Sequence, residues 1–333
     1  MMARLRLPDP HPGSRILGIG VYRPSRVVTN EEICARIDSS DEWIRRRSGI
    51  VSRRFAGPDE TVITMAVEAA RKAMAQAGTD PDEIGMVLVA TMSFLEQSPA
   101  AAPRVAHQLG ARAAGSLDIG AACSGFCYAL GLADSLVRSG DARAVVVVGS
   151  ERMSDIVDPR DRGTAFLFGD GAGAVVVGRS ETPGIGPVVW GSEGSRHHMI
   201  AHDRAWPPVG ETPRAGAALR MAGPEVFRWA TRVMPEVSRE ALRRAGLDVA
   251  DLAAFIPHQA NARIVDVAAK SLGLAPHTVV ARDVVTSGNT SAASIPLAME
   301  ELLAQGRLAG GDPALLVGFG AGLAHAAQVV TLP

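Results

Sequence analysis

Aromatic side chains are scarce in this 333-residue chain, at 4%. With 35 glycines and 47% apolar residues, the interior has to be built by close approach of aliphatic side chains and bare backbone, which argues against an aromatic-lined cleft. An excess of either charge is missing too. The 34 Lys and Arg against 35 Asp and Glu leave a net charge of −1, so nothing supports a general nucleic-acid surface, although a local basic patch remains open to an acidic partner. The three cysteines, Cys34, Cys123 and Cys127, are too few and too unevenly spaced for a disulfide framework or a two-knuckle zinc site, which points to a reducing compartment. Long apolar runs are absent: there is no window of eighteen apolar residues free of charge, and Met1–Gly13 carries charge and proline instead of a continuous apolar core. No membrane span and no signal peptide are expected, and the reading is a soluble cytoplasmic protein.

What is present is a duplicated α/β layout. Val62, Met65, Ala66, Ala69, Ala73 and Ala77 mark one helix face ending at Gly78, followed by a strand at 86–91. The stretch Glu68–Leu88 recurs in register as Glu236–Ile256, with Glu, Ala, Ala-Gly, Asp and the strand aligned. A second pair, Phe168-Gly-Asp-Gly-Ala-Gly and Val317-Gly-Phe-Gly-Ala-Gly, places G-x-G-A-G late in each half. Two matches in one order mean an internal repeat. Strands are expected near 15–20, 86–91, 116–119, 144–148 and 172–178, then near 186–191, 253–258, 278–280, 314–318 and 326–331. The segment Val27–Phe55 reads as a long, arginine-rich irregular stretch around Asp41–Arg47, either a working loop or a solvated helix end with one half-buried Trp. The glycine runs do not form a dinucleotide fingerprint, because Ala174-Val-Val-Val continues as a strand where that site needs a helix.

Candidate chemistry gathers at strand ends. Ser116–Ile119 reads as a short strand and Phe126, Leu130, Ala133 and Val137 as a helix face, which puts Cys123 in a first helical turn. Free N–H groups and the helix dipole there favour a thiolate nucleophile; the other reading is a small buried hydrophobe. An apolar strand runs into His258 in Phe255-Ile-Pro-His258-Gln-Ala-Asn261-Ala-Arg263-Ile, and Asn289 enters the expected helix Ser291–Leu303. Taken singly these read as a core histidine and a helix cap; taken with Cys123 they make a nucleophile, a base and a polariser.

The Cys123 segment, His258-Gln-Ala-Asn-Ala-Arg-Ile, Gly288-Asn-Thr-Ser, Asp41-Glu-Trp-Ile with Arg47-Ser-Gly-Ile, Asp161-Arg-Gly-Thr and Phe168-Gly-Asp-Gly-Ala-Gly resemble β-ketoacyl-acyl-carrier-protein synthase III, a condensing-enzyme family of the thiolase fold, over about residues 15–331. The resemblance implies two duplicated halves, 15–180 and 181–333, in a layered αβαβα arrangement. It implies that Cys123 takes an acyl group from acyl-CoA, which is a substrate and not a cofactor, with the N–H groups of Cys123 and Ala321 as oxyanion hole. His258 and Asn289 would hold the thioester carbonyl of malonyl-carrier protein during decarboxylation. Trp43 and Arg162 match an adenine sandwich, Arg47 a phosphate contact, Asn261 a further coenzyme contact, and Gly223 and Phe227 the pantetheine tunnel. Ser98, from a partner subunit, and Phe168 match the acyl pocket; Arg263 and Arg228 match the surface that docks acyl carrier protein. Ser98 stands where acetyl-specific members often carry phenylalanine, which implies a starter longer or bulkier than acetyl. Helix 124–138 and strand 144–148 match a homodimer region. Two departures stand out, Gly223-Pro224 where Gly-Asn is frequent and Ala321 where glycine is frequent. The alternatives are a starter-unit synthase or acyltransferase of a polyketide pathway and, from another class, a non-catalytic thiolase-fold subunit, which the intact Cys, His and Asn disfavour.

Overall fold

A computed structural model describes residues 10–205 and 217–333; most of the Met1–Gly13 stretch considered above lies outside them. The first half runs β1 (Gly13–Tyr22), β2 (Arg26–Thr29), α1 (Asn30–Cys34), α2 (Asp41–Ser48) and β3 (Ser52–Phe55). It continues through α3 (Val62–Ala77), β4 (Ile84–Ala90), α4 (Ala101–Leu109) and β5 (Gly115–Ile119) to α5 (Gly125–Arg138), β6 (Ala144–Arg152) and β7 (Asp170–Ser180). The second half opens with β8 (Val189–Ser192), β9 (Ile200–His202), β10 (Leu219–Met221), α6 (Gly223–Ala245), β11 (Ala254–Pro257) and α7 (Ala262–Leu272). It closes with β12 (Val279–Val280), α8 (Val284–Ser287), α9 (Ser294–Ala304), β13 (Pro313–Gly320) and β14 (Ala324–Thr331).

The repeat is realised strand for strand. One sheet has the order β1-β7-β6-β4-β5 and the other β8-β14-β13-β11-β12. Pairing directions match as well: in each order the first two pairings are antiparallel and the last two are parallel. Helices α5 and α9 lie between the sheets, packing Phe126, Leu130, Val137, Ile295 and Met299 against inner faces of both. Helices α3 and α4 cover the outer face of the first sheet, and α6 and α7 that of the second. Five layers, αβαβα, result. Both faces of each sheet are thereby covered, which is why β6 is an unbroken apolar run, Ala144–Val148, buried throughout. The helix face expected from Val62 to Ala73 is the buried one, and Gly78 closes α3 in the left-handed conformation that glycine adopts without strain.

Three expectations change. The stretch Val27–Phe55 is not irregular: it holds the β2–β3 ribbon, whose strands pair antiparallel, and two short capped helices. Its strands, Arg-Val-Val-Thr and Ser-Arg-Arg-Phe, are short and half polar and so read as irregular in sequence. Strand 144–148 cannot serve a partner chain, because β6 is the middle strand of its sheet, hydrogen-bonded on both sides. The two G-x-G-A-G runs are not strictly equivalent, since Gly169–Gly173 leads into and forms the start of β7 whereas Gly318–Gly322 spans the end of β13 and its turn.

Candidate active site

Each inner helix is entered through a 3-10 turn, Ala122–Ser124 before α5 and Ser291–Ala293 before α9. The two turns touch. Each begins on a non-glycine residue in the left-handed region, Ala122 at φ 45 and Ser291 at φ 48, a strained arrangement that concentrates at working sites. Cys123 is the second residue of the first turn. Gly320, at the end of β13, packs against it so closely that an added Cβ would stand 2.8 Å from Cys123 Cβ and 3.0 Å from its Sγ. Only glycine allows the 320–322 turn to approach the thiol in this way. Neither the Cys123 nor the Ala321 N–H donates a hydrogen bond to the backbone among the described residues, so both remain available to a reacting oxygen.

His258 follows β11 directly; its N–H donates to Val317 O at 2.7 Å. Its Nδ1 lies 2.7 Å from Ser294 Oγ in the first turn of α9. That oxygen already accepts the Gln259 N–H at 3.2 Å. Phe319 packs edge-on against the imidazole, with ring centroids 5.1 Å apart. Asn289 is clamped through its backbone, its N–H donating to Leu167 O at 2.8 Å and its O accepting from Gly169 N–H at 3.0 Å. Its side-chain Oδ1 accepts the Ser291 N–H at 2.9 Å, a local bond at the entrance to the 3-10 turn; the N-cap positions themselves fall on Thr290 and Ala293. Cys123, His258 and Asn289 are 7%, 1% and 5% exposed.

The electrostatics differ from the sequence expectation. Burial pushes the Cys123 thiol up to about 12, and the Glu151 carboxylate acts in the same direction. Desolvation works against the helix-terminus effect and favours the thiol over the thiolate. Burial pushes His258 down to about 3, so the imidazole is neutral throughout the physiological range. Cys127, one turn on, is buried and likewise pushed up to about 12, as fits a packing residue.

Glu151 was not singled out from sequence. It is fully buried at the end of β6 and accepts from Ser93 Oγ, the Met92 N–H at 3.1 Å and Thr91 Oγ1 at 3.2 Å; burial holds its carboxyl above the usual range. The signal was readable: like His258, it is a polar residue that ends an apolar strand. Ser294 and Phe319 carried no comparable signal.

A cavity of about 570 Å³ is lined by Trp43, Arg47, Arg162, Phe227 and Asn289, of which Arg47 and Arg162 are exposed and Asn289 is buried. Arg228, Arg263, Asn261 and Gly223 also line it, and among the described residues its lining holds four arginines and no carboxylate. The Arg162 guanidinium carbon stands 4.8 Å over the Trp43 ring, a cation–π contact that a flat base entering between them would have to part. Arg263 lies 5.5 Å over Phe227, while Arg228 is exposed and bonded to Glu225. Asn261 caps α7 through Arg263 N–H and donates to Arg47 O at 3.3 Å. Pro224 sits in the first turn of α6, where a missing N–H costs nothing. Phe168 is the exception: its residue lines a separate cavity of about 210 Å³ with Arg26, Ile33 and Phe55. Ser98 stands on an exposed loop after β4, outside the large cavity. No group of His, Cys, Asp and Glu suited to a metal ion occurs among the described residues, and no described helix is long and apolar enough to cross a membrane.

A family model described as 3-oxoacyl-[acyl-carrier-protein] synthase III matches residues 117–194, and the model of its C-terminal part matches 242–332. The chain is 53% identical to beta-ketoacyl-[acyl-carrier-protein] synthase III 1 of Streptomyces coelicolor over 343 aligned positions, covering 100% of each. It is 52% identical to the corresponding synthase III of Streptomyces glaucescens, again over 100% of both. Among solved structures, the priming beta-ketosynthase of a polyketide biosynthetic pathway superposes with a TM-score of 0.96 at 51% identity, covering 99% of both chains. The 3-oxoacyl-[acyl-carrier-protein] synthase III of Aquifex aeolicus superposes with a TM-score of 0.89 at 41% identity, covering 96% of this chain and 100% of that one.

Proposed function

The chain belongs to the 3-oxoacyl-[acyl-carrier-protein] synthase III family and performs its decarboxylative condensation; from that premise we propose how its own residues divide the work. The observation that carries the proposal is a cavity whose lining joins Trp43, Arg47 and Arg162 to Asn289, together with the burial of Cys123, His258 and Asn289. Arg47 and Arg162 take the phosphates and adenine of an acyl-CoA, whose pantetheine passes Gly223 and Phe227. The Cys123 Sγ attacks the thioester carbonyl, the bond to the CoA sulfur breaks, and the thiol proton leaves with CoA. The N–H groups of Cys123 and Ala321 hold the transient oxyanion.

Malonyl-carrier protein then docks on Arg263 and Arg228, and its thioester carbonyl receives two hydrogen bonds. Asn289 donates from Nδ2, since its Oδ1 is held by the Ser291 N–H. His258 donates from Nε2 in the tautomer whose Nδ1 accepts the Ser294 hydroxyl proton, an arrangement that the 2.7 Å contact allows while Ser294 Oγ accepts the Gln259 N–H. A neutral imidazole suits this donor role. The carbon–carboxylate bond breaks, CO₂ departs, the enolate carbon attacks the acyl-cysteine, and the acyl–sulfur bond breaks; the released Cys123 sulfur takes up a proton from solvent, and the β-ketoacyl group stays on the carrier.

A homodimer formed along β5 supports the place given to Ser98. This edge strand is free on one side and exposes Leu117, and its Asp118 accepts the N–H groups of Ala101 and Ala102, where the Ser98 loop ends. Ser98 would reach the partner's acyl pocket as a small side chain, leaving room for carbons beyond acetyl at about 0.8 kcal/mol per buried methylene. The high similarity to a priming ketosynthase favours a second use of the same chemistry, starting polyketide chains. Intact-protein mass measurement after competition among acyl-CoAs tests both points. Wild type is expected to favour a short straight or branched acyl group over acetyl, and Ser98→Phe to shift toward acetyl; a wild type strict for acetyl contradicts the assignment.

A further inference from the structure

Arg53, in β3, is completely buried, yet none of its bonds reaches a carboxylate among the described residues. Its guanidinium donates to the Asn30 Oδ1 at 2.8 Å, to Phe166 O at 2.6 Å and to Val28 O at 3.4 Å, all neutral acceptors. Its Nε has no partner, and burial pushes the group down to about 10. An unpaired buried cation is costly to keep. A leucine or methionine would fill the space at less expense, so its bonds need a reason.

The reason lies in what Phe166 precedes. Residues 167–169 form the backbone clamp on Asn289. The stem of Arg53 lies against this clamp: its Cβ stands 3.1 Å from where a side chain would begin at Gly169 and 3.0 Å from the same point at Gly288, the residue before Asn289. Gly288, at φ 67, is itself in the left-handed region. One end of the guanidinium is anchored through Asn30, which donates to Asp41 Oδ1 at 2.7 Å and Ile50 O at 2.9 Å; the other end fixes the Phe166 carbonyl.

We infer that Arg53 is a positioning residue for Asn289, setting the clamp that aims the Asn289 carboxamide at the malonyl thioester carbonyl. The inference rests on the donor role assigned to Asn289. A displacement of about 1 Å in such a donor is worth up to about 10²-fold in rate.

The test is malonyl-carrier decarboxylation by Arg53→Met and Arg53→Lys, each alone and combined with Asn289→Ala, with self-acylation at saturating acyl-CoA measured in parallel. Arg53→Met is expected to lower decarboxylation by about 10-fold to 10²-fold, with Arg53→Lys intermediate. Self-acylation should stay within about two-fold, and the loss should vanish in the Asn289→Ala background, because residues acting through one donor are not additive. Parallel loss of both half-reactions, additive loss with Asn289→Ala, or unchanged decarboxylation overturns the inference. If Arg53→Met does not fold, Arg53→Lys is judged by the same criteria. An Asn289→Ala variant that alone keeps full decarboxylation removes the Asn289 role itself, which is a different failure and is visible without any Arg53 variant.

Discussion

The two halves share one plan and have kept different parts of it. In each, the inner helix is entered by a 3-10 turn starting on a left-handed residue; the second residue of that turn is Cys123 in the first half and Ala292 in the second. In each, a parallel strand ends beside the turn, and with Glu68 aligned on Glu236 the position of His258 corresponds to Ala90. The first half therefore carries a thiol and an alanine where the second carries an alanine and an imidazole. The two turns are in contact, and on the proposed mechanism the thiol of one half and the imidazole of the other serve one site. The comparison teaches that the shared fold supplies strain, free N–H groups and two helix N-termini, while the chemistry comes from the few positions at which the halves differ.

The largest effect is expected from breaking the first half. Cys123→Ser should lower overall condensation by on the order of 10⁴-fold or more, since a hydroxyl at a site that already burdens a thiol up to about 12 is a far poorer nucleophile. Product formation from an acyl-CoA and malonyl-carrier protein measures it; a variant within ten-fold of wild type, roughly one 1.4 kcal/mol step, contradicts the role.

Much of the plan was legible in the sequence, for physical reasons that also mark where reading stopped. All ten expected strands exist, because strands buried on both faces, such as Ala144–Val148, are apolar without interruption. The Glu68 and Glu236 alignment exposed the repeat, and Cys123, His258 and Asn289 stood out as reactive types at strand and helix ends. The β2–β3 ribbon is hidden in the sequence because its strands are short, mostly exposed or half-buried, and rich in arginine, with only Val28 and Arg53 buried. The thiolate expectation failed because helix position is written in the sequence while desolvation is a property of the packed site. Strand 144–148 as a dimer element failed because an apolar strand in a sheet centre and one at an interface have the same composition.

A smaller effect sharpens the contrast on the second-half side. His258 is held at about 3 against an ordinary 6.5, so between those values the unfolded chain binds more protons than the folded one. Stability is then lost as pH falls from about 6.5 toward 3, by at most about 1.4 kcal/mol per pH unit from this group. His258→Ala should show a shallower fall of Tm between pH 7 and 5 than wild type; parallel curves would mean that the imidazole is not buried neutral. Cys123 has the opposite sign, with stability lost as pH rises from about 9 toward 12.

The smallest effect lies outside both turns. Arg263→Glu should raise the apparent KM for malonyl-carrier protein by about ten-fold and leave self-acylation from CoA unchanged, since a rim charge acts on encounter with an acidic partner. Equal change in both half-reactions would place Arg263 in the coenzyme path instead.

The division of labour between the halves is tested most directly by measuring both half-reactions on crossed variants. Acyl adduct on the protein is followed by intact mass, and CO₂ release from malonyl-carrier protein is followed in the same preparations. Cys123→Ala should form no adduct and still release CO₂, while a His258→Ala/Asn289→Ala double variant should form the adduct and release CO₂ at least about 10²-fold more slowly. Adduct at the normal rate on Cys123→Ala, or undiminished CO₂ release by the double variant, would contradict the account.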